Sequence, residues 1–477
     1  MKNKKLSAQR VATASVVFAA LAGLSACDIK NELLQPQNPG TVDQSAVGSP
    51  SSAAALKIGA MGALKRVYAD GAPAGFGGSS MWEASALMTD EFMNSDFQNS
   101  QNDVDARAIS PDNQVSNYVR TTQARGYIRD AITAETSFEP QKTADIAELW
   151  MALGFVEQTL AENLCNGIPL GNSKAGQVDY SSPDFKPKTN ADVFKIATTH
   201  YDSALAILGT STTVDAVAVK NATLIAKARV LVDLGQFSDA AALVTAVPTS
   251  YQYAFITQGS SNSDDNGFWT LNNSIARYSV GDSVVNYGGK QYQTLNAIPF
   301  ASMNDPRVPV VTGLSLKLPA EDGGQTPLFV QQVYKGRDDP VPMVSGVDAR
   351  LIEAEAQLNL KTTAGISSMM TILNGLRTAP PKLGNFQPAT MTALPIPATQ
   401  DAATSLFFRE KALWQYARGQ RLSDMRRLVR QYGRPQNQVY PSGQQYKGVP
   451  YGADTALPVP DAERVNPQFN GCIDKNA

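Results

Sequence analysis

The stretch from Asn221 to Pro248, NATLIAKARVLVDLGQFSDAAALVTAVP, constrains the fold more than any other part of the chain. Gly235 supplies a left-handed stop between two helical arms. Ala226, Ala228, Ala240 and Ala241 are small enough to let those arms approach closely. The preceding segment repeats the helical signal, with Phe194, Ala197, Tyr201, Ala204 and Leu208 recurring at three- and four-residue steps along one face. Similar periodicity predicts helices over 52–70, where Leu56, Ile58, Met61, Leu64 and Val67 form the apolar stripe, and over 117–135, 142–164, 191–208 and 219–234. It returns over 346–360, 364–378 and 402–431. The fold class is mostly α.

The hairpin is of the tetratricopeptide kind. A period of about 34 residues is not repeated cleanly elsewhere, so the expectation is an irregular helical array with long insertions. The largest insertion spans about 248–342, where Asn, Gly, Asp, Tyr and Pro replace the helical pattern. Loop-rich segments of that length inside a compact protein are usually functional.

At the N-terminus, Lys2, Lys4, Lys5 and Arg10 precede an apolar run from Val11 to Leu24 that is too short to cross a hydrocarbon core of about 30 Å. Leu24, Ser25 and Ala26 lead directly into Cys27, the pattern of a bacterial lipoprotein signal. The expected organisation is a signal peptide over 1–26, a Pro-, Asn-, Gln- and Ser-rich tether over 27–50 and one binding domain over 51–477. Acyl chains on Cys27 would be the only membrane contact, because no later apolar stretch is long enough to span. A net charge of -2 gives no electrostatic footprint for nucleic acid. Cys165 and Cys472 either form a disulfide, closing a loop of about 300 residues, or stay as two buried thiols. Sequence does not show whether their Cα atoms come within about 7 Å.

Catalytic patterns are scarce. His200 is the one histidine, which excludes zinc sites built on several imidazoles, and it lies within a helical pattern. No P-loop, CxxC, GxSxG or strand-linked GxGxxG is present, so no catalytic residue and no cofactor is assigned. The oxygen-rich segments TDEFMNSD (89–96), NDVD (102–105) and SDDNG (263–267) leave calcium possible, but they lack EF-hand spacing and read as turns. A carboxylate pair of the glycosidase kind is not excluded by 43 acidic residues. Sugar binding needs flat apolar faces beside hydrogen-bonding side chains. Loops that mix aromatic and polar residues place the candidates at Trp82, Trp269, Tyr278 and Tyr287, with Phe268 and Tyr292 beside them.

Several ordered motifs carry a family resemblance. ELWMALGFVEQTLAENLCNGIPLG (148–171), VPMVSGVDARLIEAEAQL (341–358), ILNGLR (372–377), FFREKALWQYARGQRLSDMRRL (407–428) and LPVPDAERVNPQF (457–469) together resemble the SusD/RagB family of outer-membrane nutrient-binding lipoproteins. Trp414 and Arg418 depart from the glutamates that members often carry, and Met425 replaces a common leucine. At the Gly-punctuated junction, Arg421, Asp424 and Arg427 read as structural, pairing with carboxylates such as Glu353 or Glu355. The resemblance implies a helical, non-enzymatic surface lipoprotein of the outer membrane. It would capture an oligosaccharide or peptide and pass it to a SusC-like TonB-dependent transporter. Two other readings stand beside it: a lipid-anchored tetratricopeptide scaffold for proteins, and a secreted helical glycoside hydrolase.

Overall fold

Ser49 opens the first helix. Its hydroxyl accepts from the Ser52 amide, Ser52 reciprocates, and Pro50 occupies the first helical turn. The computed structural model describes residues 49–69, 80–172, 178–259 and 265–476. The expected signal peptide, the expected lipidation site Cys27 and nearly all of the expected tether lie outside the described residues.

The scaffold is helical: α1 (Pro50–Tyr68), α2 (Met81–Met88), α3 (Asn99–Asp105), α4 (Val115–Phe138), α5 (Thr143–Asn163), α6 (Asn190–Leu208), α7 (Val214–Asp233) and α8 (Phe237–Val244). Inside the insertion lies α9 (Gly313–Leu316), and after it come α10 (Gly346–Asn359), α11 (Thr363–Thr378), α12 (Gln400–Trp414) and α13 (Arg421–Arg430). Helix α1 packs on α4, α5 on α6, α7 on α8, α8 on α10, and α10 on α11. Gly235 has φ +78° and ends the α7 arm, as expected from its place in the sequence. In α1 the buried stripe is Ala53, Ala60, Leu64 and Val67, whereas Ile58 is 74% exposed. No helix among the described residues is long and apolar enough to cross a membrane.

Two expectations are corrected. The 402–431 segment is two helices, because the chain turns at Ala417 (φ 55°) and Gly419 (φ 60°). A Cβ on Gly419 would lie 2.2 Å from the Trp82 ring, so this turn is possible only with glycine there. The 248–342 insertion is also not plain loop. It holds strands β2 (Gln252–Phe255), β3 (Tyr278–Val280), β4 (Val284–Tyr287), β5 (Lys290–Leu295), β6 (Val310–Thr312) and β7 (Phe329–Gln331). These pair antiparallel with one another or with β1 (Phe92–Asn94), β8 (Val341–Ser345) and β9 (Ser442–Gly443). Strands this short carry too few alternating positions to register as a pattern in sequence.

Buried ion networks tie the C-terminal helices together. Arg427 contacts Glu355 and Asp424, Lys411 donates to Asp424 at 2.6 Å, and the Tyr432 hydroxyl donates to Glu355 at 2.8 Å. Burial alone would raise the Glu355 carboxyl, but Arg427 and Lys411 outweigh it and bring the group down to about 2. Glu353 pairs instead with Arg350 on its own helix. The departures at 414 and 418 are compensated locally. Arg418 grips Asp348 through both oxygens, at 3.1 and 2.6 Å, and Arg307 lies over the Trp414 ring while chelated by Asp305 and Glu410. Met425 is buried, filling the place of the leucine.

Cys165 and Cys472 are joined, with their Cα atoms 5.9 Å apart. The bridge fastens the C-terminal segment to the end of α5, where Leu164 also pairs with Leu457 and Asn166 with Asp474.

Candidate ligand-binding face

Hairpin β4–β5 turns at Gly288 and Gly289 and sets Tyr287 opposite Lys290 and Val285 opposite Tyr292. Side chains alternate across a strand, so Val285, Tyr287, Tyr292 and Thr294 share one face while Asn286, Gln291 and Gln293 point to water. Val285 and Thr294 are buried, and Tyr287 and Tyr292 sit half-buried at the margin. Beneath them Tyr446 is buried against Met93 and Val285 and meets the Tyr287 ring edge-on, with centroids 6.0 Å apart. Burial raises the Tyr287 hydroxyl, and the nearby Asp322 carboxylate adds to it.

Polar groups converge on the same place. Lys447 Nζ donates to the Asp96 carbonyl at 2.9 Å and to Asn102 Oδ1 at 2.6 Å, and its charge lies 5.8 Å from the Tyr446 ring centroid. The Asp322 amide donates to the Ser95 carbonyl at 2.9 Å, which brings the 320s loop beside the turn carrying Phe97, 66% exposed. Half-exposed rings beside Asn, Gln, Asp and Lys side chains suit a ligand with apolar C–H faces and many hydroxyls. Two recesses elsewhere, one beside Tyr334, Phe386 and Trp414 and one beside Glu162, Arg229 and Arg427, each have room for little more than one water molecule, about 20 Å³.

Of the four aromatics singled out in sequence, two are core residues. Trp82 is fully buried, its ring 4.9 Å from Tyr68 and 6.2 Å from Phe255, because α2 is inward-facing all round. Tyr278 is fully buried in β3 opposite Asn94, its ring 6.0 Å from Phe92. Neither presents a face to a ligand. Trp269 is half-buried against the main core, its amide donating to Asn266 Oδ1 at 3.1 Å. Phe268 beside it is buried, stacked between Phe92 and Tyr334. Tyr287 alone of the four belongs to the tyrosine cluster just described. Sequence reasoning missed Phe97, Asp322, Tyr446 and Lys447, and read Asn102 only as part of an oxygen-rich turn. The stretch GQQYKG (443–448) does share the Tyr, Lys, Gln and Gly composition of YGGKQYQ (287–293), a signal that could have linked the two.

The acidic segments hold protein partners. Asp105 Oδ2 accepts from the Asn94 amide at 2.7 Å, and Asp265 takes both ends of Arg337 at 2.9 and 3.0 Å. Ser263 and Asp264 lie outside the described residues. No group of three or more His, Cys, Asp or Glu among the described residues could hold a metal ion. Burial pushes Glu91 up to about 8 and Glu162 to about 7, yet both are sealed from solvent. His200 Nδ1 lies 2.6 Å from Glu157 Oε2, whose other oxygen accepts from Arg125, so it pins α6 to α5.

No family model matches the sequence, and no curated protein does. Solved structures do match over nearly the whole chain. A SusD-like carbohydrate-binding protein from Bacteroides fragilis superposes with a TM-score of 0.61 at 12% identity, covering 89% of this chain and 99% of that one. This chain has the SusD fold. A laminarin-binding SusD-like protein matches with a TM-score of 0.57 at 13% identity over 89% and 99% of the two chains. A SusD superfamily protein from Bacteroides vulgatus gives 0.56 at 14% identity over 87% and 98%. The SusD fold therefore accounts for the order of the helical motifs read in sequence.

Proposed function

We propose that this chain is a nutrient-binding lipoprotein that captures an oligosaccharide on the Tyr287–Tyr292 face and hands it to a SusC-like TonB-dependent transporter in the outer membrane. The observation that carries the reading is a surface of half-buried tyrosines ringed by amide, carboxylate and ammonium groups, on a fold shared with proteins named for carbohydrate and laminarin binding. A pyranose ring presents a C–H face that stacks on tyrosine and hydroxyls that bond to Asn, Gln and Asp. Binding of this kind needs no bond to be made or broken, so the protein acts as a binder and not as an enzyme. Acylation of Cys27 would hold it at the membrane by lipid alone.

The test is incubation of the purified protein with a panel of polysaccharides. Retention of a polysaccharide without release of shorter sugars is expected. Release of sugars would replace the reading with a hydrolase, and indifference to every glycan in a panel that includes peptides as controls would move the ligand to another class.

A further inference from the structure

The Tyr446 hydroxyl lies within hydrogen-bonding reach of two acceptors, the Asn94 carbonyl oxygen and Asp105 Oδ2, the latter at 2.8 Å. A hydroxyl has one proton and can donate to only one of them. The Asn94 amide meanwhile donates to the same Oδ2 at 2.7 Å. All three contacts are satisfied at once if Asp105 carries a proton on Oδ2. The ring then runs from Asn94 N–H to Asp105 Oδ2, from Oδ2–H to Tyr446 Oη, and from Tyr446 Oη–H back to the Asn94 carbonyl.

We infer that this ring is a proton-dependent latch, closed when Asp105 is protonated, that holds the 442–450 loop against strand β1. When the carboxyl gives up its proton to solvent, the Tyr446 hydroxyl turns its own proton to the carboxylate. The lone pairs of Tyr446 and of the Asn94 carbonyl are then left facing each other, and the loop loses its direct bond to the strand, keeping only the path through Asp105. Tyr446 supports the Tyr287 ring, so the state of the latch sets how firmly that edge of the surface is held.

The surroundings favour the protonated form. Asp105, Asn94 and Tyr446 are all buried. Asp90 nearby is itself raised well above the usual carboxylate range, by burial first and then by the Asp105 charge, and its Oδ1 accepts from the Tyr451 hydroxyl at 3.2 Å. Lys447 is the cation beside Asp105, but its ammonium is bonded to the Asp96 carbonyl and to Asn102 and is shared electrostatically with Asp96 and Asp322. Burial raises the Asp105 carboxyl to about 6, against the pull of the Asn94 amide, Tyr446 and Lys447, with the Gln445 side chain alongside.

The sign follows from linkage. A carboxyl raised in the closed state stabilises that state fully below the open-state value near 3.8, and loses the contribution as pH rises to about 6. Hydrogen exchange read by mass spectrometry on the intact protein, corrected for intrinsic rates, tests this between pH 4 and 7. Protection of peptides covering 92–94 and 442–450 is expected to fall roughly tenfold per pH unit up to about pH 6, about a hundredfold in all, and then level off. Helices α10 and α11 should show no such step. Asp105→Asn, which removes the titrating carboxyl, should give a flat profile, while Glu91→Gln should keep the step, which separates Asp105 from its buried neighbour. A flat wild-type profile, or a step that persists in Asp105→Asn, overturns the latch. If Asp105→Asn lacks native circular dichroism, the wild-type profile with Glu91→Gln decides alone. The measurement uses no glycan, so it stands apart from the proposed function.

Discussion

Replacing Arg427 with methionine removes the cation at the centre of the α10–α12–α13 network and leaves Glu355 with only Lys411 at 3.3 Å and the Tyr432 hydroxyl. Glu355 sits at about 2 in the fold against 4.5 unfolded. A difference of that size corresponds to about 3 kcal/mol of stability at neutral pH. The group is fully buried, so screening by water discounts little of this. Breaking one partner of a buried pair costs about 3–5 kcal/mol in general, which agrees. The folded body spans Gly48–Ala477, and at about 2.1 cal/mol/K per residue its unfolding entropy is roughly 0.9 kcal/mol/K. The midpoint of thermal unfolding at pH 7 should therefore fall by about 3–5 °C. Because Glu355 is depressed, its contribution is present above pH 4.5 and lost as pH falls towards 2, so the wild type should shed stability over that window more steeply than the variant. Pairing Arg427→Met with Glu355→Gln should recover part of the loss, since no unpaired charge stays behind. An unchanged midpoint together with an identical acid limb would refute the reasoning.

Glu91 gives the opposite pH dependence: its raised carboxyl stabilises the fold below about pH 4.5 and loses that contribution as pH rises to about 8. Glu91→Gln should raise the unfolding midpoint at pH 8.5 and leave it unchanged at pH 4, as scanning calorimetry would show. Reduction of Cys165–Cys472 opens a loop with a sequence separation of 307. Chain entropy sets an upper bound of roughly 6 kcal/mol on the loss, to be read as a lower midpoint in reductant. Cys27→Ser should move the protein from the membrane to the soluble fraction of cells, and persistence in the membrane fraction would remove the lipid anchor from the proposal.

Much of the helical scaffold was legible because its signals are local. The stripe Phe194, Ala197, Tyr201, Ala204 and Leu208 is buried as the three- and four-residue steps require, and Gly235 takes the positive φ that its position between two arms demands. Arg427 pairs with Glu355, one of the two carboxylates expected. What failed depended on distant chain. Ile58 has the spacing of a core residue, but no element among the described residues covers it. Trp82 follows the loop-like stretch GFGGSS at the head of a helical run, yet Gly419, 337 positions later, folds onto its ring. Tyr278 reads as a loop aromatic, but its three-residue strand finds its partner in β1. The tyrosine face joins residues near 95, 287, 322 and 446, and no window of sequence contains all four.

Affinity electrophoresis of the wild type and of Tyr287→Ala, Tyr292→Ala and Trp82→Phe in gels containing the retained polysaccharide tests the central claim most directly. A base stacked on tyrosine is worth about 1–3 kcal/mol in single-strand binding proteins, and a sugar on these rings is expected to fall towards the lower end of that range. Tyr287→Ala and Tyr292→Ala should each weaken retardation about fivefold or more with native circular dichroism, while Trp82→Phe, buried, leaves it unchanged. Wild-type retardation in both tyrosine variants would contradict the account.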